Sequence, residues 1–426
     1  CQRLSQGNSA VMKWLSIVGV GEDGPEAITP AARALIKNAD VLIGGERHLA
    51  LVAPLYNGVE TLTWRSPIDD TVADIEEHRG RRVVVLATGD PMSYGIGVTL
   101  GRHFCQEEMT VVPAPSAFSL TAARMGWPVQ DVACLTTHGR PLDLLRLHIS
   151  PGARLLIMSE DGKTPGKIAA LLTELGYGPS QIKVYQHMDG PKEAQMEGTA
   201  AQWEKHNIAD LNTIAVQCMA GPEARVLSRA SGLPDDAFLH DGQITKRVVR
   251  AATLAVLIPL PGQYLWDVGA GCGSVAIEWL RVASNSRAHA IESEIARVDL
   301  IARNASALGV PHLEIVSGNA PAALSELKTP DAVFIGGGAA IRGMIEFCWS
   351  ALAPGGRLVA NAITLNSEVA LLSAQSKFGG ELTRIAVADA KPIGAKHGWR
   401  AAGPVTQWSV TKAITTDPTV VNEQDG

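Results

Sequence analysis

The sequence predicts an α/β protein built from two unlike domains. Apolar, β-rich runs alternate with helical patterns along the 426 residues, which is the signature of this fold class. The segment Tyr264–Leu280, YLWDVGAGCGSVAIEWL, combines an apolar strand, a turn with alternating glycines and a helix start. A second, differently built glycine turn lies in Leu15–Ala32. The sequence therefore predicts two ligand-binding domains in succession, and 426 residues are enough for each domain to form its own hydrophobic core.

The first half contains two successive sets of strands and helices. One set precedes His138–Gly139 and the other follows it, so this half is expected to form two small α/β lobes. Strands are predicted near Trp14–Val20, Val41–Ile43, Val83–Ala87, Thr110–Val112, Val132–Thr136, Arg154–Met158, Lys183–Gln186 and Asn212–Gln217. Helices are predicted at Pro30–Asn38, Ile96–Phe104, Ala117–Met125 and Gly166–Leu175.

The second half follows a polar stretch, Gly221–Gly242, that has little periodicity and contains two prolines. A helix at Lys246–Leu257 opens this half. Strands are then predicted near Tyr264–Val268, Ala288–Glu292, Leu313–Val316, Ala332–Ile335, Arg357–Ala362, Leu382–Ala388 and Val405–Thr411. A tight excursion without a helix, Asp389–Pro404, joins the last two strands, so they should be antiparallel. The predicted division is a disordered extension (1–11), an N-terminal domain (12–221), a linker (222–235), a C-terminal domain (236–414) and a tail (415–426).

Composition excludes several classes of function. A net charge of −6 and an aromatic content of 5% disfavour nucleic acid as a partner. The six cysteines include no C-x-x-C pair, so neither a disulfide framework nor a zinc site is indicated, and no metal is predicted. This cysteine usage favours a reducing, cytoplasmic setting. No apolar run is long enough to span a membrane, and the polar first ten residues do not resemble a signal peptide.

The glycine turn of the second half is a candidate nucleoside site. Backbone N–H groups of the helix that begins after Gly273 would face a ligand. Glu292 ends the next strand, where a carboxylate can accept hydrogen bonds from both ribose hydroxyls. Asn319 follows the third strand and could contact an adenine edge; the alternative is a packing turn with two surface polar residues. The candidate cofactor-binding residues here are Thr245, Asp267, Gly269, Gly271, Gly273, Glu292, Asn319 and Ala320.

Two features decide which nucleoside is favoured. The glycine spacing is G-x-G-x-G, whereas dinucleotide domains carry G-x-G-x-x-G. The predicted seven-stranded, Rossmann-like sheet with an antiparallel final pair resembles the class I methyltransferases, and NAD domains lack that pair. The resemblance implies S-adenosylmethionine as the ligand, with an NAD-dependent oxidoreductase as an alternative.

The N-terminal glycine turn is followed by two further strand-to-loop turns. Thr29 and Pro30 are placed to cap the first helix, and Ser116 is placed to cap a later one. The order of these turns resembles the class III tetrapyrrole methyltransferases, whose donor lies folded between two α/β lobes. That family's loop usually reads G-x-G-P-G, whereas Glu22 and Asp23 intervene here. The resemblance implies cofactor binding by Gly19, Gly21, Gly89, Asp90, Pro91, Ser93 and Ser116.

The order of both signatures in one chain is more specific than either alone. VGVGEDGPEAITPAA, ATGDPMSYGIG, DGQITKRVVRAATLAVL, DVGAGCGSVAIEW and KPIGAKHGWRAAGPVTQW together resemble the decarboxylating C5,15 precorrin methyltransferases of cobalamin biosynthesis over residues 13–412. Asn319 stands where an aspartate is often found. The resemblance implies methylation of precorrin-6B at C5 and C15 with loss of the C12 acetate carboxyl, giving precorrin-8X. It also implies one S-adenosylmethionine per domain, C5 chemistry in the first half, and a homo-oligomer by analogy.

Catalytic groups are less clearly marked by the sequence. No Ser–His–Asp or Cys–His constellation is evident, and an activated methyl donor requires none because alignment and exclusion of water can suffice. His397, Lys396 and Lys246 are the hypothesised catalytic residues, which would hold the acetate or place an acid. Each has a plainer interpretation as a solvated charge. Further candidates for gripping substrate carboxylates, with the same alternative, are Lys391, Trp399, Arg400, Arg247, Arg250, Arg342 and Arg124.

Three alternative functions are weighed against this interpretation. An RNA or protein methyltransferase is disfavoured because basic stripes with interleaved aromatics are missing from the sequence. A scaffold that binds a nucleotide without chemistry would bind donor but never transfer methyl. An NAD-dependent oxidoreductase would respond to titration with NADH.

Overall fold

The computed structural model describes residues 13–204 and 207–414 and divides into two compact units. Among the described residues, unit 1 comprises residues 13–142 and 148–225, and unit 2 comprises residues 143–147 and 226–414. The predicted extension (1–11) and tail (415–426) lie outside the described residues. No helix in the described ranges is long and apolar enough to cross a membrane.

Unit 1 contains ten strands and six α-helices within the described residues. The strands are β1 (Leu15–Val20), β2 (Val41–Ile43), β3 (Glu60–Leu62), β4 (Val83–Thr88), β5 (Met109–Val112), β6 (Ala133–Thr136), β7 (Arg154–Met158), β8 (Gln181–Gln186), β9 (Ala194–Thr199) and β10 (Asn212–Gln217). The helices are α1 (Pro30–Lys37), α2 (Glu46–Val52), α3 (Ile68–Glu77), α4 (Ile96–Leu100), α5 (Ala117–Met125) and α6 (Thr164–Glu174).

The strands of unit 1 form two five-stranded sheets, which confirms the expected pair of lobes. The first sheet has the order β3-β2-β4-β1-β5 and all its pairings are parallel. Both faces of β4 are buried, since Val83 and Val85 enter one core cluster while Val84 and Leu86 enter another. A strand covered on both faces reads as an unbroken apolar run, which is why β4 was predictable. The second sheet, β6-β7-β10-β8-β9, is parallel only between β6 and β7.

Unit 2 contains nine strands and five α-helices within the described residues. The strands are β11 (Tyr264–Val268), β12 (Arg287–Glu292), β13 (Glu314–Ser317), β14 (Ala332–Ile335), β15 (Arg357–Ala362), β16 (Glu381–Ile385), β17 (Ala388–Ile393), β18 (Lys396–Ala401) and β19 (Val405–Thr411). The helices are α7 (Arg247–Leu257), α8 (Ser274–Val282), α9 (Ile295–Ala307), α10 (Met344–Ala351) and α11 (Leu365–Phe378).

A seven-stranded sheet with the order β13-β12-β11-β14-β15-β19-β16 organises unit 2. β11 to β15 are parallel, and β19 is antiparallel to both β15 and β16, as predicted from the missing crossover helix. Alternate side chains of β11 enter opposite cores: Leu265 lies on one face, and Trp266 and Val268 lie on the other. The loops after β11, β12, β13 and β14 therefore meet at one carboxyl edge, where open α/β sheets bind ligands.

Several elements differ from those predicted. The short strands β3 and β9 are partly exposed and not apolar, so their sequences carry no strand signal. α2 and α3 were also not predicted, and α4 ends at Leu100 rather than Phe104, because Gly101 is a poor helix former. The excursion predicted to lack a helix contains none and is mostly a two-stranded antiparallel hairpin, β17–β18.

The predicted domain limits also need correction. Residues 226–235, interpreted as part of a linker, belong to unit 2, because Leu233 is 3% exposed and lies in its core. Two carbonyls of this segment, at Leu227 and Ser228, accept hydrogen bonds from the Arg281 guanidinium. The predicted N-terminal domain (12–221) included Asp143–Leu147, which belongs to unit 2. Composition alone could not show this, because a polar segment can pack on a domain through a few apolar side chains.

Candidate functional site

The glycine turn of unit 2 connects β11 to α8 at the carboxyl edge of the sheet. Gly269, Gly271 and Gly273 have φ of 71°, 61° and 79°, a region that L-residues rarely occupy. A β-carbon added at Gly269 would lie 2.9 Å from the backbone nitrogen of Gly337, which follows β14. One added at Gly271 would lie 3.2 Å from the Gln243 carbonyl oxygen. The loop is therefore tightly enclosed by backbone from two other segments.

Asp267 lies beneath this loop rather than at its surface. Its side chain is buried, and Oδ2 accepts a hydrogen bond of 2.9 Å from the Ala276 amide in the first turn of α8. The other oxygen, Oδ1, has no hydrogen-bond partner in the described structure. Burial raises the pKa of Asp267 to about 7; the Ala276 hydrogen bond opposes this shift and the charge of Glu292 adds to it. Asp267 thus anchors the loop to the helix, and the donor contact expected of it stays a prediction.

Glu292 joins the glycine loop to the end of β12. Its Oε2 accepts from the Gly271 amide at 2.8 Å, and its Oε1 accepts from the amides of Ser293 and Glu294, both at 3.0 Å. A carboxylate offers about four lone-pair positions, so three bonds leave room for one more donor. The carboxylate is consequently fixed in place with about one acceptor position free toward the loop.

The end of β13 lies beside Glu292, as predicted. The Gly318 amide donates to the Glu292 carbonyl oxygen at 3.0 Å, which ties the two strand ends together. Asn319 is exposed and Ala320 is half-buried, and the Asn319 carbonyl accepts from the Ala323 amide at 3.0 Å. The structure therefore brings Gly271, Glu292 and Asn319 to one edge of the sheet.

A buried ion pair that the sequence did not predict supports the glycine loop of this site. The Arg250 side chain is fully buried, and its Nε donates to Glu278 Oε1 at 2.6 Å. Glu278 also accepts from the amides of Gly232 and Leu233, at 2.6 and 2.9 Å. The Arg250 Nη1 donates to the Thr245 carbonyl oxygen at 2.5 Å. The pair thereby fixes the segment that carries Gln243 against the glycine loop.

This geometry corrects the interpretation of the basic residues before β11. Arg250 was expected to be a solvated helix residue or a substrate contact, and its burial excludes both. Arg247 is exposed and its Nε donates to the Gly232 carbonyl oxygen at 2.8 Å. Lys246, hypothesised as catalytic, is exposed with its Nζ 3.9 Å from Asp235 Oδ2. Thr245 is half-buried, and its carbonyl oxygen accepts from Arg250.

The hairpin β17–β18 carries the other hypothesised catalytic residues. Lys396 and His397 are exposed residues of β18, paired with Ile393 and Pro392. The following strand enters the sheet at Val405, and the next residue pairs with Ala362, the last residue of β15. The hairpin therefore leaves the sheet at the carboxyl edge, where the glycine loop also lies, as the sequence predicted.

In unit 1, three predicted turns meet at the carboxyl ends of β1 and β4. A β-carbon at Gly19 would overlap the Gly89 carbonyl oxygen and lie 2.6 Å from the Ala114 nitrogen. Gly89 has a φ of 59°, and its carbonyl oxygen accepts from the Ala114 amide at 3.2 Å. Only glycine permits these backbones to approach so closely. The Ser116 hydroxyl caps α5 by accepting from the Ser119 amide at 3.1 Å.

A cavity of about 70 Å³ lies at this junction. Gly19 and Gly21 line it, and Gly89, through the contacts just described, lies against its wall. The remaining lining residues are Asp23, Ala27, Ile28, Thr29, Ala32, Pro113, Ala114, Pro115, Leu120 and Asp189.

The G-D-P turn continues directly from Gly89. The Asp90 Oδ1 accepts from the Met92 amide at 2.9 Å, and the Asp90 carbonyl oxygen accepts from the Ser93 amide at 3.1 Å. The Pro91 carbonyl oxygen accepts from the Gly97 amide at 3.0 Å. These bonds shape the turn itself, so Asp90 acts on the loop conformation.

Arg124 and Arg342 are two further candidate contacts for substrate carboxylates. Arg124 binds Asp189 and Glu193 at 2.8 and 2.7 Å, so its role is structural. Arg342 is exposed beyond the glycine run after β14. In the described ranges, no group of three or more His, Cys, Asp or Glu side chains could hold a metal ion. Cys105, Cys134, Cys218, Cys272 and Cys348 form no disulfide bond within the described residues.

The folds and sites define a chain with two methyltransferase domains, one of class III and one of class I. Residues 15–203 match the tetrapyrrole (corrin/porphyrin) methylases, and residues 236–412 match the precorrin methyltransferase domain. The precorrin-6Y C(5,15)-methyltransferase (decarboxylating) of a Sinorhizobium species is 47% identical over 94% of this chain and 97% of that protein. The chain therefore belongs to the precorrin-6Y C5,15-methyltransferase (decarboxylating) family.

Two shorter relatives each match part of the chain. The cobalt-precorrin-7 C(5)-methyltransferase of Salmonella typhimurium is 36% identical over 38% of this chain and 80% of its own length. A Saccharolobus solfataricus protein named as a cobalt-precorrin-6B C(15)-methyltransferase (decarboxylating) is 34% identical over 41% of this chain and 92% of its own length. The two activities combined in the name of the full-length relative thus occur separately in the names of shorter proteins.

Proposed function

We propose that this chain is a bifunctional, S-adenosylmethionine-dependent C-methyltransferase of cobalamin biosynthesis. It methylates precorrin-6B at C5 and C15 and releases the carboxyl group of the C12 acetate arm as carbon dioxide, giving precorrin-8X. The observation that carries the proposal is the presence of two separate glycine-turn sites, each at the carboxyl edge of a sheet, in a chain of this family. The RNA, protein and scaffold alternatives have no comparable support.

The residues at both sites fit one S-adenosylmethionine each. In unit 2, the free acceptor position of Glu292 suits a ribose hydroxyl, and the exposed Asn319 amide suits an adenine edge. In unit 1, the close approach of Gly19, Gly89 and Ala114 gives a site built from backbone groups. Such a site binds a nucleoside through N–H and C=O groups with little demand on side chains.

The protein acts mainly by aligning the methyl donor with the carbon of the substrate. The donor supplies a methyl group already activated on a sulfonium, and the nucleophile is an electron-rich carbon of the macrocycle. The protein therefore needs to hold two ligands in line and exclude water. For the decarboxylation, Lys396, His397 and Lys246 are proposed to hold the acetate or to supply the proton that replaces its carboxyl group. The electron pair released from the broken carbon–carbon bond passes into the conjugated imines of the macrocycle.

The two reactions are assigned to separate units. Unit 1 matches the tetrapyrrole methylases and is proposed to methylate C5. Unit 2 matches the precorrin methyltransferase domain and is proposed to methylate C15 and decarboxylate. The names of the two shorter relatives, one a C5 enzyme and one a decarboxylating C15 enzyme, support this division.

Mass spectrometry of the full chain with precorrin-6B and S-adenosylmethionine tests the proposal. The expected product gains two methyl groups and loses one carbon dioxide. Gly271→Val should stop C15 methylation and decarboxylation, because a side chain at a φ of 61° is strained and meets the Gln243 carbonyl. Gly262→Val is the matched control, since Gly262 has a φ of 78° but nothing lies within 4 Å of an added β-carbon.

Variants of the unit 1 loop test the division of labour. Asp90→Ala should impair C5 methylation selectively, because the Asp90 carboxylate shapes the turn through the Met92 amide. Equal loss of both methylations in Asp90→Ala would contradict the assignment of C5 chemistry to unit 1. If Gly271→Val and Gly262→Val had the same product pattern, the donor site of unit 2 would be wrongly placed.

Two further expectations belong to this proposal. Association into a homo-oligomer, expected by analogy with class III lobes, would appear as a multiple of 45.0 kDa in light scattering. A cytoplasmic location is inferred from the cysteine usage, and a fluorescent fusion that marked the cell envelope would contradict it.

A further inference from the structure

A polar cluster that donor binding does not use lies at the carboxyl edge of the first sheet in unit 1. Glu22 follows β1, Arg47 and His48 lie in the first turn of α2, and Thr88 ends β4. Arg47 Nη2 donates to Thr88 Oγ1 at 2.8 Å, and Arg47 Nη1 forms an ion pair with Glu22 Oε1. His187, which follows β8 in the second lobe, places its Nδ1 3.2 Å from Glu22 Oε2.

These contacts make a site for a carboxylate, and Glu22 occupies it. The Arg47 guanidinium and the His187 imidazole both contact the Glu22 carboxylate, and such groups bind carboxylates in proteins, while Thr88 accepts from Arg47 and positions it. Glu22 lies between Gly21 and Asp23, and both of these line the cavity at the donor loop. Glu22 and Asp23 are also the two residues that separate this loop from the usual G-x-G-P-G pattern. The carboxylate site therefore lies directly beside the candidate donor site of unit 1.

His48 adds a hydrogen-bond donor that has no partner. Its Nε2 lies 3.0 Å from Arg47 Nη2 and 2.8 Å from Thr88 Oγ1. Because a guanidinium cannot accept a hydrogen bond, Nε2 must be the acceptor, and a neutral ring then carries its proton on Nδ1. Burial, with a smaller contribution from the Arg47 charge, lowers the pKa of His48 to about 4, so the ring is neutral near pH 7. Nδ1 is buried and has no partner within the described residues.

Glu22 is held in a crowded, acidic environment. Burial raises the pKa of Asp23, and the charges of Asp189 and Glu22 add to this shift. Like charges this close disfavour one another, so moving Glu22 away would relieve part of the repulsion. A substrate carboxylate that displaced Glu22 would form the same kind of charge-assisted bond with Arg47, so one ion pair would be exchanged for another.

We propose that Arg47 and His187, with Thr88 positioning Arg47, form the binding site for a peripheral carboxylate of the tetrapyrrole substrate of unit 1, and that Glu22 occupies this site in the substrate-free protein. This inference rests on the proposed function, because it takes a polycarboxylate macrocycle as the substrate. The protein carries a net charge of −6, so binding such a substrate requires localised cations. Arg47 pairs with one carboxylate, Glu22, whereas Arg124 pairs with two, Asp189 and Glu193.

Steady-state kinetics of C5 methylation on the full chain test the site, with the C15-methylated, decarboxylated intermediate as substrate. Arg47→Gln should raise KM for the tetrapyrrole by about ten-fold or more with little change in kcat, since it removes a charge-assisted bond to the substrate. Glu22→Gln should lower KM by roughly five-fold, because the site is no longer occupied by an internal carboxylate. Affinity for S-adenosylmethionine, measured by calorimetry, should change in neither variant.

The matched control is Arg82→Gln. Arg82 precedes β4 and binds Asp40, which precedes β2, at 2.6 Å, so this ion pair lies at the opposite edge of the same sheet. Arg82→Gln should leave KM unchanged. The inference is overturned if Arg47→Gln shifts KM no more than Arg82→Gln, or if Glu22→Gln raises KM as Arg47→Gln does. If Arg47→Gln fails to fold, Arg47→Lys, which keeps the charge but loses the fork geometry, should still raise KM measurably.

Binding of uroporphyrin, a tetrapyrrole octacarboxylate, separates this inference from the proposed function. Arg47→Gln should weaken porphyrin binding detected by fluorescence, and Glu22→Gln should strengthen it. A wild-type chain that binds porphyrin with this dependence but transfers no methyl group would overturn the proposed function and retain the carboxylate site. Equal binding by wild type, Arg47→Gln and Arg82→Gln would overturn the carboxylate site whatever the activity.

Discussion

The substitution Glu278→Gln is expected to destabilise unit 2 severely. Glu278 is 1% exposed, and its two oxygens accept from the Gly232 amide, the Leu233 amide and the Arg250 guanidinium. Glutamine keeps the shape but loses the charge opposite a fully buried cation. It also turns an NH₂ group toward one of three donors, so at least one donor is left unsatisfied.

The magnitude follows from these contacts. Removing one partner of a buried ion pair costs about 3–5 kcal/mol. Arg250 retains Asp235 at 3.2 Å, and this partly exposed carboxylate offsets some of the loss. The expected decrease in the free energy of unfolding is therefore about 3 kcal/mol, near the lower end of that range.

Urea unfolding followed by hydrogen exchange of peptides from α7 and α8 measures this change in unit 2. Glu346→Gln is the matched control, because Glu346 pairs with Lys377 at 3.3 Å and both side chains are more than half exposed. That control should change stability by less than about 0.5 kcal/mol. A loss below about 1 kcal/mol in Glu278→Gln would refute the claim that the buried pair supports this unit. Because the pair holds the segment of Gln243 against the donor loop, S-adenosylmethionine binding should weaken in parallel.

Two further predictions concern unit 2. Asp267 has a folded-state pKa of about 7, which lies above its ordinary value. Its contribution to the free energy of unfolding is therefore fully present below its ordinary pKa and is lost as pH rises through 7. The difference in unfolding free energy between wild type and Asp267→Asn should thus fall by on the order of 3 kcal/mol from pH 5 to pH 8, and a flat difference would contradict the assigned burial effect. Leu371→Ala should lower the free energy of unfolding in urea by about 2–5 kcal/mol, because Leu371 lies on the buried face of α11 and is fully buried. Leu372→Ala, at a neighbouring position that is 53% exposed, is its control, and similar losses in the two variants would place the buried face of α11 wrongly.

The elements that sequence patterns predicted correctly share one property. β1 and β14 are buried throughout, β4 and β11 are buried except at one end, and each is a mainly apolar run followed by a glycine or a polar turn. Their residues encode both the strand and its end, so the loops at Gly89 and Gly269 could be located without coordinates. The antiparallel arrangement of β19 was equally accessible, because it follows from the short connection before Val405. Partly exposed β3 and β9 carry no such pattern.

The burial and the partners of the polar residues could not be predicted from sequence patterns. Arg250 and Arg247 lie on the same helix, three residues apart, yet one is fully buried and the other is exposed. The difference arises because Glu278, on another helix, provides a partner for only one of them. Asp267 was expected at the ligand and lies beneath the loop, since the Ala276 amide is the donor that its carboxylate reaches.

The sequence by itself determined the succession of two α/β units, the glycine turns of both candidate donor sites and the resemblance to the family to which the chain belongs. These are local properties, carried by hydrophobic periodicity and by residues that permit tight turns. Only the tertiary structure decided that residues 226–235 pack into unit 2, that Arg250 pairs with Glu278, and that Glu22 bridges Arg47 and His187. Each of these pairings joins residues far apart in the chain, and a side chain's partner depends on which strand ends and helix faces the fold brings together.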